Sequence, residues 1–183
     1  GRWSHTMFNT SAVNIMYICN GANTPRYYNG AAWTNSTFTG PSSIATLDFV
    51  VNHQSRLWFI DKDTLNTWYG GTSAITGALT QFIPPFKLGG KLVALASWTR
   101  DGGAGPDDNL IFLTSTGECA IYQGTDPSSA TTWGRVGIFN LPEPIVRGRI
   151  SEHKDRAKTI SKWLTYEADR NDLAQEIEHP IRS

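Results

Sequence analysis

A group of hard oxygen donors lies in RDGGAGPDDN, residues 100–109. Asp101, Asp107, Asp108 and Asn109 could gather there around a calcium ion in a flexible, glycine-rich loop. The spacing departs from the twelve-residue EF-hand pattern and no bidentate Glu follows at its last position, so the stretch reads first as a polar turn between strands. Asp61 and Asp63 also sit in a turn signal, where side-chain to backbone hydrogen bonds explain them. His5, His53, His153 and His179 have no neighbouring Ser or Cys in a nucleophile-elbow setting. Cys19 and Cys119 fall inside apolar runs and neither belongs to a CxxC pair. Zinc needs three or four clustered ligands, so both are expected to be buried free thiols, a state that fits a reducing compartment. Gly89-Gly90-Lys91 lacks the preceding Gly of a phosphate loop and the helix that should follow it. The expectation is a chain with no catalytic residues, no metal and no cofactor, one that binds or builds rather than catalyses.

The elements carrying these residues are strands. From Lys91 to Phe139 four runs rich in β-branched, aromatic and aliphatic residues are separated by Gly, Pro, Asp, Asn and Ser clusters, the pattern of a four-stranded antiparallel meander. Leu110–Thr114 and Cys119–Gln123 form its central hairpin, with Gly117 free to take a positive φ in the connection. Earlier strands are expected at Arg2–Asn9, Val13–Cys19, Arg26–Tyr28, Ala45–Val51, Arg56–Ile60 and Asn66–Tyr69, with a hairpin turn at Asn29-Gly30 and Trp33 closing the first unit. The segment 72–90 contains Pro84-Pro85, which forbids a helix and disfavours a central strand, and is expected to cross between units.

Three segments share one order of apolar strand, polar turn, second strand with an aromatic, then Gly: residues 14–33, 56–71 and 109–133. Their anchors Tyr28, Tyr69 and Tyr122 are spaced like one propeller blade with variable loops. The run Thr125–Trp133, TDPSSATTW, is loosely similar to the Asp-box turn of sialidase-type propellers, though the Gly of that box is absent and its spacing is stretched; such a box is a structural turn. At Arg147 the character of the chain changes, and residues 151–183 are highly charged and contain no Gly. Ser151 is a candidate N-cap, and Ala157, Ile160, Leu164 and Ala168, then Leu173 and Ile177, recur at helical spacing up to His179-Pro180. The expected fold is therefore mainly β, with antiparallel propeller-like blades in a body over residues 1–149 and a charged amphipathic C-terminal α-helix over residues 150–183.

Composition narrows the partners. Sixteen Lys and Arg balance sixteen Asp and Glu, so no global field favours nucleic acid or an acidic membrane surface. No apolar run approaches the roughly 18 residues that span a bilayer, and no secretory signal pattern opens the chain, which reads as soluble. Gly1 in place of Met suggests a fragment, a processed product or the residue of a tag.

Several motifs together resemble a group of proteins encoded in the structural modules of tailed bacteriophages and prophages. They are LWF at residues 57–59, a central Gly-Gly followed by Leu, and the W-T-x-D-G-G-x-G-x-D-D turn. The L-x-F-x-T-S-x-G-E-x-A-x-Y-Q-G-T-D-P hairpin, the W-x-x-V-G-x-F strand and the upstream N-G-x-x-T-P-x-x-Y-x-G-x-x-W segment complete the set. The resemblance covers about residues 13–149, and the Y-Q-G-T-D-P hairpin is its most specific part. It implies a virion component of the head-to-tail region or tail, propeller-like and without catalytic residues. Such a protein assembles with other phage structural proteins as a homo-oligomeric ring around the channel through which DNA leaves, and is made in the host bacterial cytoplasm. DNA would pass through such a lumen without specific nucleic-acid binding, and tight phosphate contacts would hold the polymer back. The chain departs from the group in starting late, as though upstream blades were missing, and in its charged tail. An incomplete propeller leaves open sheet edges, which ring assembly would cover. The rival expectations are a carbohydrate-binding or glycan-hydrolysing β-propeller module, and a calcium-stabilised β interaction module.

Overall fold

The computed structural model describes residues 2–99 and 108–141, and these are built from fourteen strands. The first four, β1 (Ser4–Asn9), β2 (Asn14–Cys19), β3 (Arg26–Tyr28) and β4 (Trp33–Asn35), pair in chain order as an antiparallel sheet, sheet 1. After β5 (Thr37–Thr39) and a single 3-10 turn at Ile44–Thr46 come β6 (Leu47–His53), β7 (Arg56–Asp61) and β8 (Thr67–Tyr69). Next are β9 (Thr76–Ala78), which pairs in parallel with β5, and β10 (Thr80–Phe82), which completes an antiparallel sheet 2 in the order β6-β7-β8-β10. Sheet 3 is the antiparallel meander β11 (Leu92–Thr99), β12 (Asp108–Thr114), β13 (Glu118–Gly124) and β14 (Trp133–Asn140).

The molecule is thus mainly β, and the expected meander over Lys91–Phe139 is sheet 3. The three segments aligned in sequence supply the second and third strands of the three sheets, and Tyr28, Tyr69 and Tyr122 all stand on third strands. Among the described residues there is no α-helix; the helix expected over residues 150–183 lies outside them, as do Asp101 and Asp107. One expectation needs correction. Residues 72–90 do more than cross between units, because they contain β9 and also β10, the fourth strand of sheet 2. Both strands are three residues long and show no alternation, while the Thr67 hydroxyl donates to the Phe82 carbonyl and pins β10 in place.

The middle sheet explains the sequence of β7. Leu57 and Phe59 join Phe8, Ile15, Tyr17, Cys19, Phe38 and Leu79 in a core between sheets 1 and 2. Trp58 and Ile60 join Leu92, Leu95, Leu110, Phe112, Tyr122 and Trp133 in a second core between sheets 2 and 3. A strand whose two faces are both buried gains nothing from polar alternation, so LWFI is a continuous apolar run. Cys19 and Cys119 are buried free thiols, as expected, and burial pushes the Cys119 thiol up to about 12.

Sheets 2 and 3 repeat each other closely. Each first strand has its register shift at the same place, between Leu47 and Phe49 in β6 and between Leu92 and Ala94 in β11. The residue after each second strand also donates its N–H to the residue before the first, Lys62 to Thr46 at 2.9 Å and Ser115 to Lys91 at 2.7 Å. First strands adjoin as well: β6 lies against β1 on one side and β11 on the other.

The crossing from sheet 2 to sheet 3 is fixed by a buried carboxylate. Glu118, 2% exposed, accepts the backbone N–H of Lys87 (2.9 Å) and of Leu88 (2.7 Å). These groups follow Pro84-Pro85 and have no ladder to join, so the carboxylate supplies what a strand would have supplied. Glu118→Gln removes the charge that strengthens both bonds and should cost roughly 1–2 kcal/mol. The expected result is a lower urea midpoint at unchanged slope; an unshifted midpoint would count against this role.

Candidate functional site

A set of polar side chains gathers where the β6–β7 turn meets sheet 3. Gln54 and Ser55 form that turn with φ of 48° and 55°. Two successive left-handed residues are the backbone of a type I′ hairpin, normally the province of Asn and Gly. Here the turn is held from outside: Ser73 N–H donates to Ser55 O at 2.7 Å, and Gln54 Nε2 donates to Asp108 Oδ2 at 2.9 Å on sheet 3.

Two further ties cross the same seam. His53 Nδ1 is 2.9 Å from Ser97 Oγ. Arg56 reaches Asp126 Oδ1 at 3.5 Å, donates to Gly70 O at 3.2 Å and lies 6.0 Å from the centroid of the Tyr69 ring. The His53 ring stands edge-on to Trp133 at 6.0 Å. Burial lowers the His53 pKa to about 4, with Asp108 pulling weakly the other way.

The seam brings a His to a Ser that sequence spacing did not place beside it, yet among the described residues no third group completes a relay. A nucleophile-activating His needs its other nitrogen oriented by a third group, and His53 Nε2 is buried with no hydrogen-bond partner among the described residues. Both carboxylates of the seam have structural partners. Asp108 accepts from Gln54. Asp126 accepts from Ser128 Oγ (2.8 Å) and Ser128 N–H (3.1 Å), and these bonds, with Arg56 as a smaller influence, hold its carboxyl below the usual range.

The Thr125–Trp133 run forms the β13–β14 connection. It closes through Thr125 N–H to Thr132 O (3.1 Å) and Trp133 N–H to Ser129 O (3.0 Å), with Asp126 as an internal acceptor. Gly124 enters it at φ 131°, and a Cβ there would collide with the Thr132 carbonyl. An open depression of about 650 Å³ is lined by this hairpin, including Thr131, Trp133 and Arg135, and does not reach His53 or Ser97. Of the calcium candidates, Asp108 and Asn109 open β12, Asn109 being buried. Among the described residues no three His, Cys, Asp or Glu are grouped as a metal site, and no helix is long and apolar enough to cross a membrane.

The tryptophans divide. Trp58 and Trp133 are buried in the second core, and Trp68 and Trp98 are half-buried. Trp33 is 44% exposed on the face of sheet 1 turned away from the core. On that face the pairing puts Met7 opposite Met16, Met16 opposite Tyr28, and Tyr28 opposite Trp33. One apolar row therefore runs across all four strands, with Met7 62% exposed and the Tyr28 and Trp33 rings 5.3 Å apart. Sequence reading missed this row because its members are spread over 27 residues and meet only through strand register.

Compared with protein-family models, curated proteins and solved structures, the chain matches none.

Proposed function

We propose that this chain is a non-enzymatic bacteriophage virion structural protein of the head-to-tail or tail region. Its three sheets act as propeller-like blades that assemble with further copies and other phage structural proteins around the DNA ejection channel. The phage motifs over residues 13–149 supply the identity of the assembly. The observation that carries a building role is the apolar row Met7, Met16, Tyr28 and Trp33, whose ends Met7 and Trp33 are exposed. An apolar row that crosses all four strands of a sheet and is exposed at both ends, at Met7 and Trp33, is a surface suited to contact with another sheet. Three supports favour blades: three consecutive meanders with one strand order, adjoining first strands, and matched bulges in sheets 2 and 3. A carbohydrate-binding propeller module is the second reading, favoured by the half-exposed Tyr28–Trp33 pair, whose rings offer flat faces to a sugar.

The test is the mass of the purified protein by light scattering with negative-stain imaging, repeated on the double variant Met7→Glu, Trp33→Glu. Closed rings of fixed subunit number are expected for the parent chain. The variant, whose substitutions are exposed and nearly neutral for folding, should assemble at least about tenfold more weakly, because two carboxylates would have to be desolvated at the contact. A folded monomer for the parent chain would sink the reading, and binding of that monomer to a glycan array would establish the second.

A further inference from the structure

The chain contains two Asn-Gly steps, Asn20-Gly21 and Asn29-Gly30, and they form a matched pair. Asn20 Oδ1 accepts the N–H groups of Ala22 (3.1 Å) and Asn23 (2.9 Å), and Asn29 Oδ1 accepts those of Ala31 (3.0 Å) and Ala32 (2.9 Å). Both glycines have positive φ, 65° and 93°. The local turn is therefore the same, and only the surroundings of the glycine differ.

Gly21 is locked. It is buried, its N–H donates to Leu47 O at 2.9 Å across to sheet 2, and a Cβ placed on it would run into Asp48. Lys62 Nζ donates to its carbonyl at 3.4 Å. Gly30 is open. It is exposed, its N–H has no acceptor among the described residues, and nothing stands within 4 Å of where its Cβ would be. Among the described residues its single tie is the Tyr28 hydroxyl, which donates to its carbonyl at 2.8 Å.

This contrast decides a chemical fate. Once water or hydroxide has taken the amide proton of the glycine, its nitrogen can attack Cγ of the preceding asparagine. The N–Cγ bond forms, the Cγ–Nδ2 bond breaks, ammonia leaves, and a five-membered succinimide remains. Water then opens the ring at either carbonyl, leaving an aspartyl or an isoaspartyl residue. The step needs a free backbone nitrogen and room for Cγ to swing onto it, and a glycine without a side chain or packing partner provides both.

We propose that Asn29 is a site of spontaneous deamidation in the folded protein, and that Asn20, with the same dipeptide, is protected by the contact of Gly21 with sheet 2. The new carboxylate appears one residue from Tyr28, at the end of the row that crosses the open face of sheet 1. Ageing therefore adds a negative charge at the rim of that face, whatever the face contacts.

The experiment uses the full chain, incubated at mildly alkaline pH and body temperature. Peptide mass spectrometry then follows conversion at each asparagine, and enzymatic isoaspartyl methylation reports the rearranged product. Reaction at Asn20 waits on local opening, and each 1.4 kcal/mol of opening free energy slows it about tenfold, so Asn29 should convert at least about tenfold faster. In urea, where sheet 2 no longer covers Gly21, the two rates should converge. Asn29→Gln should abolish the acidic species that accumulates in the folded parent chain and leave the circular dichroism spectrum unchanged. Equal rates in the folded chain, faster loss at Asn20, or no conversion at Asn29 would each overturn the proposal.

Discussion

Trp58→Ala is expected to cost about 3–5 kcal/mol of folding stability, a large share of what a domain of this size possesses. The side chain is 0% exposed and central to the aromatic group between sheets 2 and 3. Tyr69 lies 4.8 Å away, Trp133 stacks at 5.6 Å, and Phe82 and Phe112 meet its ring edge-on at 5.8 Å. Truncation removes the shared partner of four rings and leaves a cavity bounded by two sheets that cannot both close on it. Trp58→Phe provides the contrast. Trp58 Nε1 has no hydrogen-bond partner among the described residues, so replacing the indole with a phenyl ring sacrifices no bond and should cost about 1–2 kcal/mol. Urea unfolding of the two variants beside Trp33→Ala, on the open face of sheet 1, checks the argument. If Trp33→Ala and Trp58→Ala lowered stability equally, the second core would not be what holds the sheets together.

The parts of the fold legible in the sequence were those where local chemistry and tertiary demand agree. VNIMYIC, RLWFI and LIFLT are apolar runs bounded by turn residues, and each became a strand. Asn29-Gly30 announced the β3–β4 turn, although the loop runs from Asn29 to Ala32. The parts that were not legible lack a local signature. The β6–β7 turn is made by Gln54 and Ser55, whose left-handed backbone is imposed by Ser73 and Asp108 rather than by their own preference. Strands β5, β9 and β10 are too short to carry a period.

The seam and the open apolar row share one reason for being hidden. His53 with Ser97, Gln54 with Asp108, and Arg56 with Asp126 join residues far apart in the chain. Met7, Met16, Tyr28 and Trp33 meet only because each strand is paired at one register and not the next. The resemblance to phage structural proteins rests instead on short turns and hairpins whose residues are contiguous. The proposed phage identity thus rests on local patterns and the proposed assembly on non-local ones, so the two halves of the proposal can fail separately.

Acidification should destabilise the fold through His53, and the direction follows from its burial. The folded pKa is lowered to about 4 from an ordinary value of 6.5. Above 6.5 neither state holds the proton and the group is silent. Between 6.5 and about 4 the unfolded chain binds a proton that the folded chain refuses, so stability falls as pH falls through that window. Below about 4 both states are protonated and the loss is complete, at about 3 kcal/mol. The structural cause is specific. In the imidazolium both nitrogens donate; Nδ1 still meets Ser97 Oγ, but Nε2–H would stand buried beside the Trp133 ring with no acceptor among the described residues. Asp108, whose charge pulls the other way, is engaged by Gln54 and only moderates the effect. The check is urea unfolding at pH 7 and pH 4.5 for the parent chain and for His53→Gln. Gln can still hydrogen-bond Ser97 but carries no titrating group. Carboxylates elsewhere titrate equally in both proteins and drop out of the comparison, so the variant should show the shallower loss on acidification. Parallel losses would mean that the ring is hydrated well enough to charge freely, and that the seam between sheets 2 and 3 opens to water more readily than its packing indicates.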